Sequence, residues 1–153
     1  MSKFQNRLYV FLFLFILISG CSSIFNHSDS LVIPINSINP QPILGVFKGK
    51  YSCAQGITGV TLVLDQDNKN KKIIDGTFVF YPTRLNPQVP TGSFTMRGAL
   101  TPEKELILIP QKWIDHPFLY KMISMDGRMK NNLNIIIAYI PECGSTAILE
   151  KFH

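Results

Sequence analysis

The chain has 153 residues, of which 46% are apolar, and it carries 15 basic and 10 acidic side chains for a formal net charge of +5. Two of the basic residues, Lys3 and Arg7, lie before an apolar run, and the rest of the chain keeps an excess of only three positive charges. Such a mild excess argues against a nucleic-acid-binding protein, and the length suits one small domain.

The first twenty residues have the features of an export signal. An unbroken apolar run of 11 residues extends from Leu8 to Ile18, and the small residues Ser19 and Gly20 follow it. A membrane-spanning helix needs about 20 apolar residues, so this run is too short to be one. A positive start, a short apolar stretch and small residues predict a helical signal peptide over residues 1–20.

The end of this segment carries a more specific pattern. Ile18-Ser19-Gly20-Cys21 resembles the lipobox of bacterial lipoproteins. The resemblance implies cleavage before Cys21, lipid on its sulfur and acylation of the new amine, which would bind the chain to the membrane of the cell envelope. Several acyl chains together make such an anchor durable. Ser22, in place of an Asp, is compatible with the periplasmic face of the outer membrane if the cell is diderm. The alternatives to a lipoprotein signal are a plain secretory signal and an uncleaved N-terminal anchor, in both of which Cys21 is incidental.

Residues 21–43 predict a flexible tether. This stretch is rich in polar residues, and Pro34, Pro40 and Pro42 cannot donate hydrogen bonds to a strand ladder. The apolar residues 31–33 leave open that part of the tether docks on the domain.

Residues 44–153 predict an all-β domain. Phe47, Tyr51 and Cys53 alternate with polar residues, as in a strand that buries one face. Further strands are expected near residues 60–64, 74–80, 93–100, 106–109, 120–125, 133–140 and 143–149. About eight short strands separated by turn signals predict an antiparallel meander closed into a barrel, with a sandwich as the alternative.

Three local features bear on where those strands end. Asp75-Gly76 indicates a bulge or a late turn, and Asp126-Gly127 indicates a hairpin turn. Residues 110–117 are bounded by prolines and predict one helical turn rather than a strand.

Two cysteines remain if Cys21 carries lipid. An even pair in an exported chain predicts a Cys53–Cys143 disulfide that joins the first strand to the last. The alternatives are two buried thiols or a metal pair, although His27, His116 and His153 are scattered and no metal or cofactor motif is evident.

Two loops are candidates for recognition. Residues 65–72 are wholly polar with three lysines, which favours a solvated hairpin loop over a contact with an anionic surface. The proline-rich residues 81–92 and the segment around Trp113 predict partner binding through Arg84, Trp113 and Tyr120. Trp113 is interpreted as a plug over the barrel mouth more readily than as a sugar-stacking platform.

Catalytic patterns are weak. Asp115-His116 is the only adjacent acid and imidazole, and Ser124 and Ser145 are merely available as nucleophiles, without a nucleophile-elbow motif. The sequence therefore favours a non-enzymatic interaction or assembly module whose partners are the membrane and an envelope protein. The alternative is a small-ligand binder or an inhibitor.

The inhibitor alternative depends on a resemblance. Tyr51-x-Cys53, the late Cys143 and Gly92-Ser93 are similar to features of the membrane-bound lysozyme inhibitors, which are small disulfide-bridged β-barrels. The sequence departs from them at residues 91–94, where the inhibitory loop motif is incomplete, and around Trp113, which has no counterpart there.

Overall fold

The computed structural model describes residues 36–130 and 132–153. The predicted signal helix, Cys21 and most of the predicted tether lie outside the described residues. The strands are β1 (Gly45–Cys53), β2 (Gly56–Gln66), β3 (Ile73–Tyr81), β4 (Gly92–Leu100), β5 (Glu105–Asp115), β6 (Met125–Lys130), β7 (Ile135–Ile140) and β8 (Ser145–Phe152). Each strand pairs antiparallel with its neighbours in the chain, and β8 pairs with β1. The predicted closed meander of eight strands is confirmed.

The barrel closes because each strand has one apolar face. Buried and exposed residues alternate along β6, β7 and β8, so one side of each strand faces the interior. Aromatic rings fill the centre, where Phe78 stacks on Phe94 with 4.9 Å between ring centroids and meets the edge of Tyr51 at 5.7 Å. The interior of the barrel is therefore a packed core.

The meander gives the barrel two different ends. The base holds residues 36–44 and the connections β2–β3, β4–β5 and β6–β7, and the mouth holds the connections β1–β2, β3–β4, β5–β6 and β7–β8. Because the strand number is even, β1 begins and β8 ends at the base. No helix among the described residues has the length and apolar character needed to cross a bilayer.

The expected helical turn at residues 110–117 is wrong, because β5 continues through Pro110 to Asp115. Beyond Leu108, β5 pairs with β4 alone, since its ladder with β6 covers only residues 105–108. A proline is tolerated there because its missing N–H lies on an unpaired strand edge. Two register shifts against β4 leave Gln111 and Ile114 as extra residues of β5.

The two Asp-Gly pairs are not turns. Gly76 pairs in regular register with Leu64 and Met96, and Gly127 lies inside β6 opposite Ala138. A Cβ at Gly76 would lie 3.3 Å from the Met96 Cβ, and one at Gly127 would lie 3.3 Å from the Ala138 Cβ. Glycine is used at both positions for its small size inside the barrel. The β6–β7 reversal comes later, where Asn132 and Leu133 have positive φ.

The predicted disulfide is confirmed. The Cα atoms of Cys53 and Cys143 are 4.7 Å apart. Cys143 lies in a short 3₁₀ turn, Pro141–Cys143, just before β8 rather than within the last strand as expected. The β1–β8 ladder extends only to the pair Lys50 and Ile148, so the disulfide extends this seam to the mouth.

Reduction of this disulfide should destabilise the barrel. The bridge spans 90 residues, for which chain entropy gives about 4–5 kcal/mol of stabilisation as an upper value. We expect the melting temperature to fall by about 10 °C or more on adding a thiol reductant, followed by circular dichroism.

The double variant Cys53→Ser/Cys143→Ser is the control, since it should melt at the lower temperature with or without reductant. An unchanged melting temperature on full reduction of the parent protein would contradict the assigned stabilisation.

Candidate functional site at the barrel mouth

A cavity of about 340 Å³ opens at the mouth. Its floor is made by Tyr51, Phe80 and Phe94 from β1, β3 and β4, which alternation directs into the barrel. Its walls come from the connections around it, namely Cys53, Ala54, Gln55, Leu119, Tyr120, Lys121, Ile123 and Glu142. A mostly apolar pocket of this volume with a few polar groups is typical of a binding site.

Aromatic rings organise one side of the cavity. Tyr120 stacks on Phe80 with centroids 5.3 Å apart, and Trp113 meets the edges of Phe80 at 6.4 Å and Phe94 at 5.3 Å. His116 stacks on Trp113 at 4.3 Å, and its Nε2 donates to the carbonyl of Tyr120 at 3.0 Å. This hydrogen bond folds the β5–β6 connection back over the aromatic floor and holds Tyr120 in place.

The Tyr51 hydroxyl is a polar group on a buried side chain that lines the cavity. Gln55 Nε2 lies 3.3 Å from the Tyr51 hydroxyl and 3.3 Å from the Thr58 hydroxyl. Burial raises the pKa of Tyr51 to about 12, which hydrogen bonds from Thr58 and Gln55 partly oppose. Tyr51 is therefore a neutral hydrogen-bonding group at physiological pH.

The rim presents apolar side chains to solvent. Phe118 is 87% exposed and Leu119 is 82% exposed, and Leu85 on the β3–β4 connection is also exposed. Leu119 has φ of 67°, a left-handed conformation that costs a residue with a Cβ roughly 1–2 kcal/mol. Leu119 therefore combines an exposed apolar side chain with a strained backbone at the edge of the cavity.

The predicted binding residues are partly brought together. Trp113 and Tyr120 both contact Phe80, whereas Arg84 lies exposed at the tip of the β3–β4 connection and does not line the cavity. That tip is held by Asn86, whose side-chain amide donates to the carbonyl of Gln55.

Sequence reasoning missed Phe80 as a floor residue and Leu119 as a rim residue. The alternation of β3 places Phe80 inside the barrel. The adjacent apolar residues Phe118 and Leu119, which follow Pro117, are the one signal that could have indicated the rim.

The residues considered for catalysis are engaged elsewhere. Ser124 Oγ donates to Glu142 Oε1 at 2.8 Å, and Ser145 Oγ donates to the carbonyl of Ser52. In residues 36–130 and 132–153, His116 has Tyr120 as its hydrogen-bond partner, and no three metal-ligating side chains come together. The arrangement at the mouth is suited to binding an apolar group.

A second depression, of about 610 Å³, lies on the outer wall across β2 to β5. Its central group is Arg97, which pairs with Asp67 at 2.8 Å and with Asp75 at 3.2 Å. Because this cation already has two carboxylate partners, the mouth is the stronger candidate site.

The fold and the cavity together define a small closed antiparallel barrel with an aromatic pocket at one end. No protein-family model matches the chain, and no curated protein matches it.

The neutral state of Tyr51 predicts a loss of stability at high pH. The unfolded tyrosine ionises near pH 10, whereas the folded one retains its proton until about pH 12. Stability should therefore be complete below pH 10 and fall between pH 10 and 12, by up to roughly 2–3 kcal/mol. Urea unfolding at a series of pH values measures this change.

Tyr51→Phe should abolish that part of the alkaline loss, because Phe cannot ionise. Tyr139→Phe is the matched control, because Tyr139 is half exposed on the outer wall. This variant should lose stability between pH 10 and 12 as the parent protein does. The same alkaline slope in Tyr51→Phe and the parent would show that burial of Tyr51 is not its cause.

Proposed function

We propose that this protein is a lipid-anchored, non-enzymatic binding module of the bacterial cell envelope, and that its barrel mouth binds an apolar group of an envelope protein. The aromatic cavity of about 340 Å³ is the observation that carries the proposal. The anchor is lipid on Cys21, and in a diderm cell the protein would lie on the periplasmic face of the outer membrane.

Two features support the envelope location. Ile18 to Cys21 forms the lipobox-like pattern described above. The Cys53–Cys143 disulfide is compatible with the oxidising compartment that an exported chain reaches.

The composition of the mouth supports binding to a protein. Interface residues that dominate affinity are commonly aromatic and fill pockets from which water is excluded. Phe80 and Phe94 provide such a pocket floor, and Phe118 and Leu119 extend the apolar surface outward beside it. An apolar side chain from a partner would bury against both.

Lipidation predicts a defined product. Intact-mass analysis of membrane-extracted protein should find Cys21 as the first residue, heavier by its acyl groups. Cys21→Ala should leave the chain unprocessed or release it from the membrane. A wild-type protein that is soluble and carries no lipid would refute the anchor.

The mouth predicts a loss of binding without a loss of folding. Leu119→Gly removes an exposed apolar side chain and relieves its left-handed backbone, so stability should stay level or rise slightly. Partner capture, measured by photocrosslinking from position 118 in intact cells, should fall at least about tenfold.

Ile148→Ser is the matched control, because Ile148 is an exposed apolar residue on the outer wall away from the mouth. Arg84→Ala and Trp113→Ala test two of the three positions predicted from the sequence in the same assay. If Leu119→Gly, Arg84→Ala and Trp113→Ala each capture as much partner as the parent protein does, the mouth is rejected as the recognition site.

A small apolar ligand is the second candidate, because the cavity volume lies in the range of small-molecule pockets. Trp113 is the only tryptophan, so its fluorescence reports on the mouth directly. Quenching by an anilinonaphthalene sulfonate dye in the parent but not in Leu119→Gly, together with a co-purified lipid found by mass spectrometry, would favour this candidate.

A lysozyme-inhibitor-like role remains a further proposal. Gly92 is packed against Phe80 and Pro117 at the start of β4, so the candidate for a loop that enters an enzyme cleft is the neighbouring β3–β4 connection, residues 82–91, rather than Gly92-Ser93. Titration of lysozyme activity with the purified protein tests it.

A further inference from the structure

The base of the barrel is the end at which the N-terminal segment joins the domain. The N–H of Ile38 donates to the carbonyl of Leu100 at 2.9 Å, and Gln41 Nε2 donates to Gln66 Oε1 at 3.1 Å. Ile43 is fully buried in the core. Residues 36–43 are therefore fixed across the base, and the chain that leads back to Cys21 is attached at this end.

Exposed lysines are concentrated at the same end. Five of them lie on the connections and strand ends of the base: Lys69, Lys71, Lys72, Lys104 and Lys130. Counted over the connections and the two strand residues next to each, the base has these five and Lys151, six lysines against four carboxylates, namely Asp65, Asp67, Glu103 and Glu105. Asp67 is engaged by Arg97 at 2.8 Å, and the nearby Glu105 is engaged by Arg128 at 2.6 Å. The base therefore presents an excess of positive charge.

The mouth has no matching excess. Counted in the same way, the mouth carries two cationic and three anionic side chains, namely Arg84, Lys121, Asp115, Asp126 and Glu142. The two ends of one barrel thus differ in character: one presents lysines and the other presents exposed apolar residues around an aromatic cavity.

The β2–β3 connection presents its lysines from an ordered turn. Asp67 Oδ1 accepts from the N–H of Lys69 at 2.8 Å and of Asn70 at 2.6 Å. Gln66 Nε2 donates to the carbonyl of Lys71 at 2.9 Å. The backbone of the turn is thereby satisfied within the protein, while the three lysine side chains remain exposed.

The turn keeps this geometry at neutral pH. The hydrogen bond from Asn70, together with those from Lys69 and Arg97, holds the pKa of Asp67 below its ordinary value. Asp67 is therefore an ionised acceptor under physiological conditions.

We propose that the lysine-bearing base docks on the anionic phospholipid head groups of the membrane that holds the anchor, so that the mouth faces away from the bilayer. The inference rests on the proposed lipid at Cys21. The residues between Cys21 and Asn36 cannot span more than about 50 Å in any conformation. A tether of this length keeps the base close to the surface, where each lysine strengthens attraction to anionic lipid by roughly fivefold.

Amine footprinting tests this orientation on the full lipidated protein. The protein is reconstituted into vesicles of phosphatidylcholine alone or mixed with phosphatidylglycerol, and lysine acylation rates are read by mass spectrometry. On the anionic vesicles we expect the five lysines of the base to be acylated at least roughly fivefold more slowly than on phosphatidylcholine alone. High salt should remove this protection. Lys121, at the mouth, should react at the same rate on both vesicles.

In the variant Lys69→Gln/Lys71→Gln/Lys72→Gln, Lys104 and Lys130 should no longer be protected, because three of the charges that attract the base to anionic lipid have been removed. Lys112→Gln/Lys121→Gln is the matched control and should retain it. Equal acylation rates on the two kinds of vesicle, or equal protection at the base and the mouth, would overturn the proposal.

Flotation on neutral vesicles separates this inference from the proposed anchor. A lipidated protein floats with phosphatidylcholine whatever its orientation. Failure to float would reject the anchor, whereas flotation without protection of the base on anionic vesicles would reject the docking alone.

Discussion

The β1–β8 seam is the contact on which the whole barrel depends. Seven ladders join strands that are adjacent in the chain, and only this one joins its two ends. Gly49 makes the close approach possible, since a Cβ there would collide with the carbonyl oxygen of Ile148. Without the seam, β1 and β8 would expose unpaired backbone groups, and the interior rings would lose one wall. The Cys53–Cys143 disulfide secures the same seam at the mouth, beside the cavity.

Much of the fold could be predicted because it follows from local patterns. The alternation of β1 gave its inward face, and the two cysteines left after Cys21 could be paired by counting. The failures at Pro110 and at both Asp-Gly pairs share one physical cause. Whether a proline lies on a free strand edge, or a glycine lies inside a strand against a closely packed neighbour, depends on residues distant in the chain. Those neighbours are known only once the strands are in register.

The site could be predicted less fully than the fold. Trp113 and Tyr120 were expected at a recognition surface, and they lie together around Phe80. Arg84 was grouped with them because its loop is proline-rich, yet it stands apart from the cavity. The left-handed backbone of Leu119 and the joint contribution of four connections to one mouth have no sequence pattern. They arise from closure, which brings segments separated by many residues to a single rim.

The even number of strands has a consequence for the engineering of this protein. Because β1 begins and β8 ends at the base, Asn36 and His153 belong to the same end of the barrel. A circular permutant that links these ends and opens the chain within residues 82–91 would retain all eight ladders while moving the new termini to the mouth. A group fused to a terminus of such a permutant would project from the mouth, whereas a group fused next to Asn36 projects from the base, so strand parity decides which end of the barrel a fused group extends from.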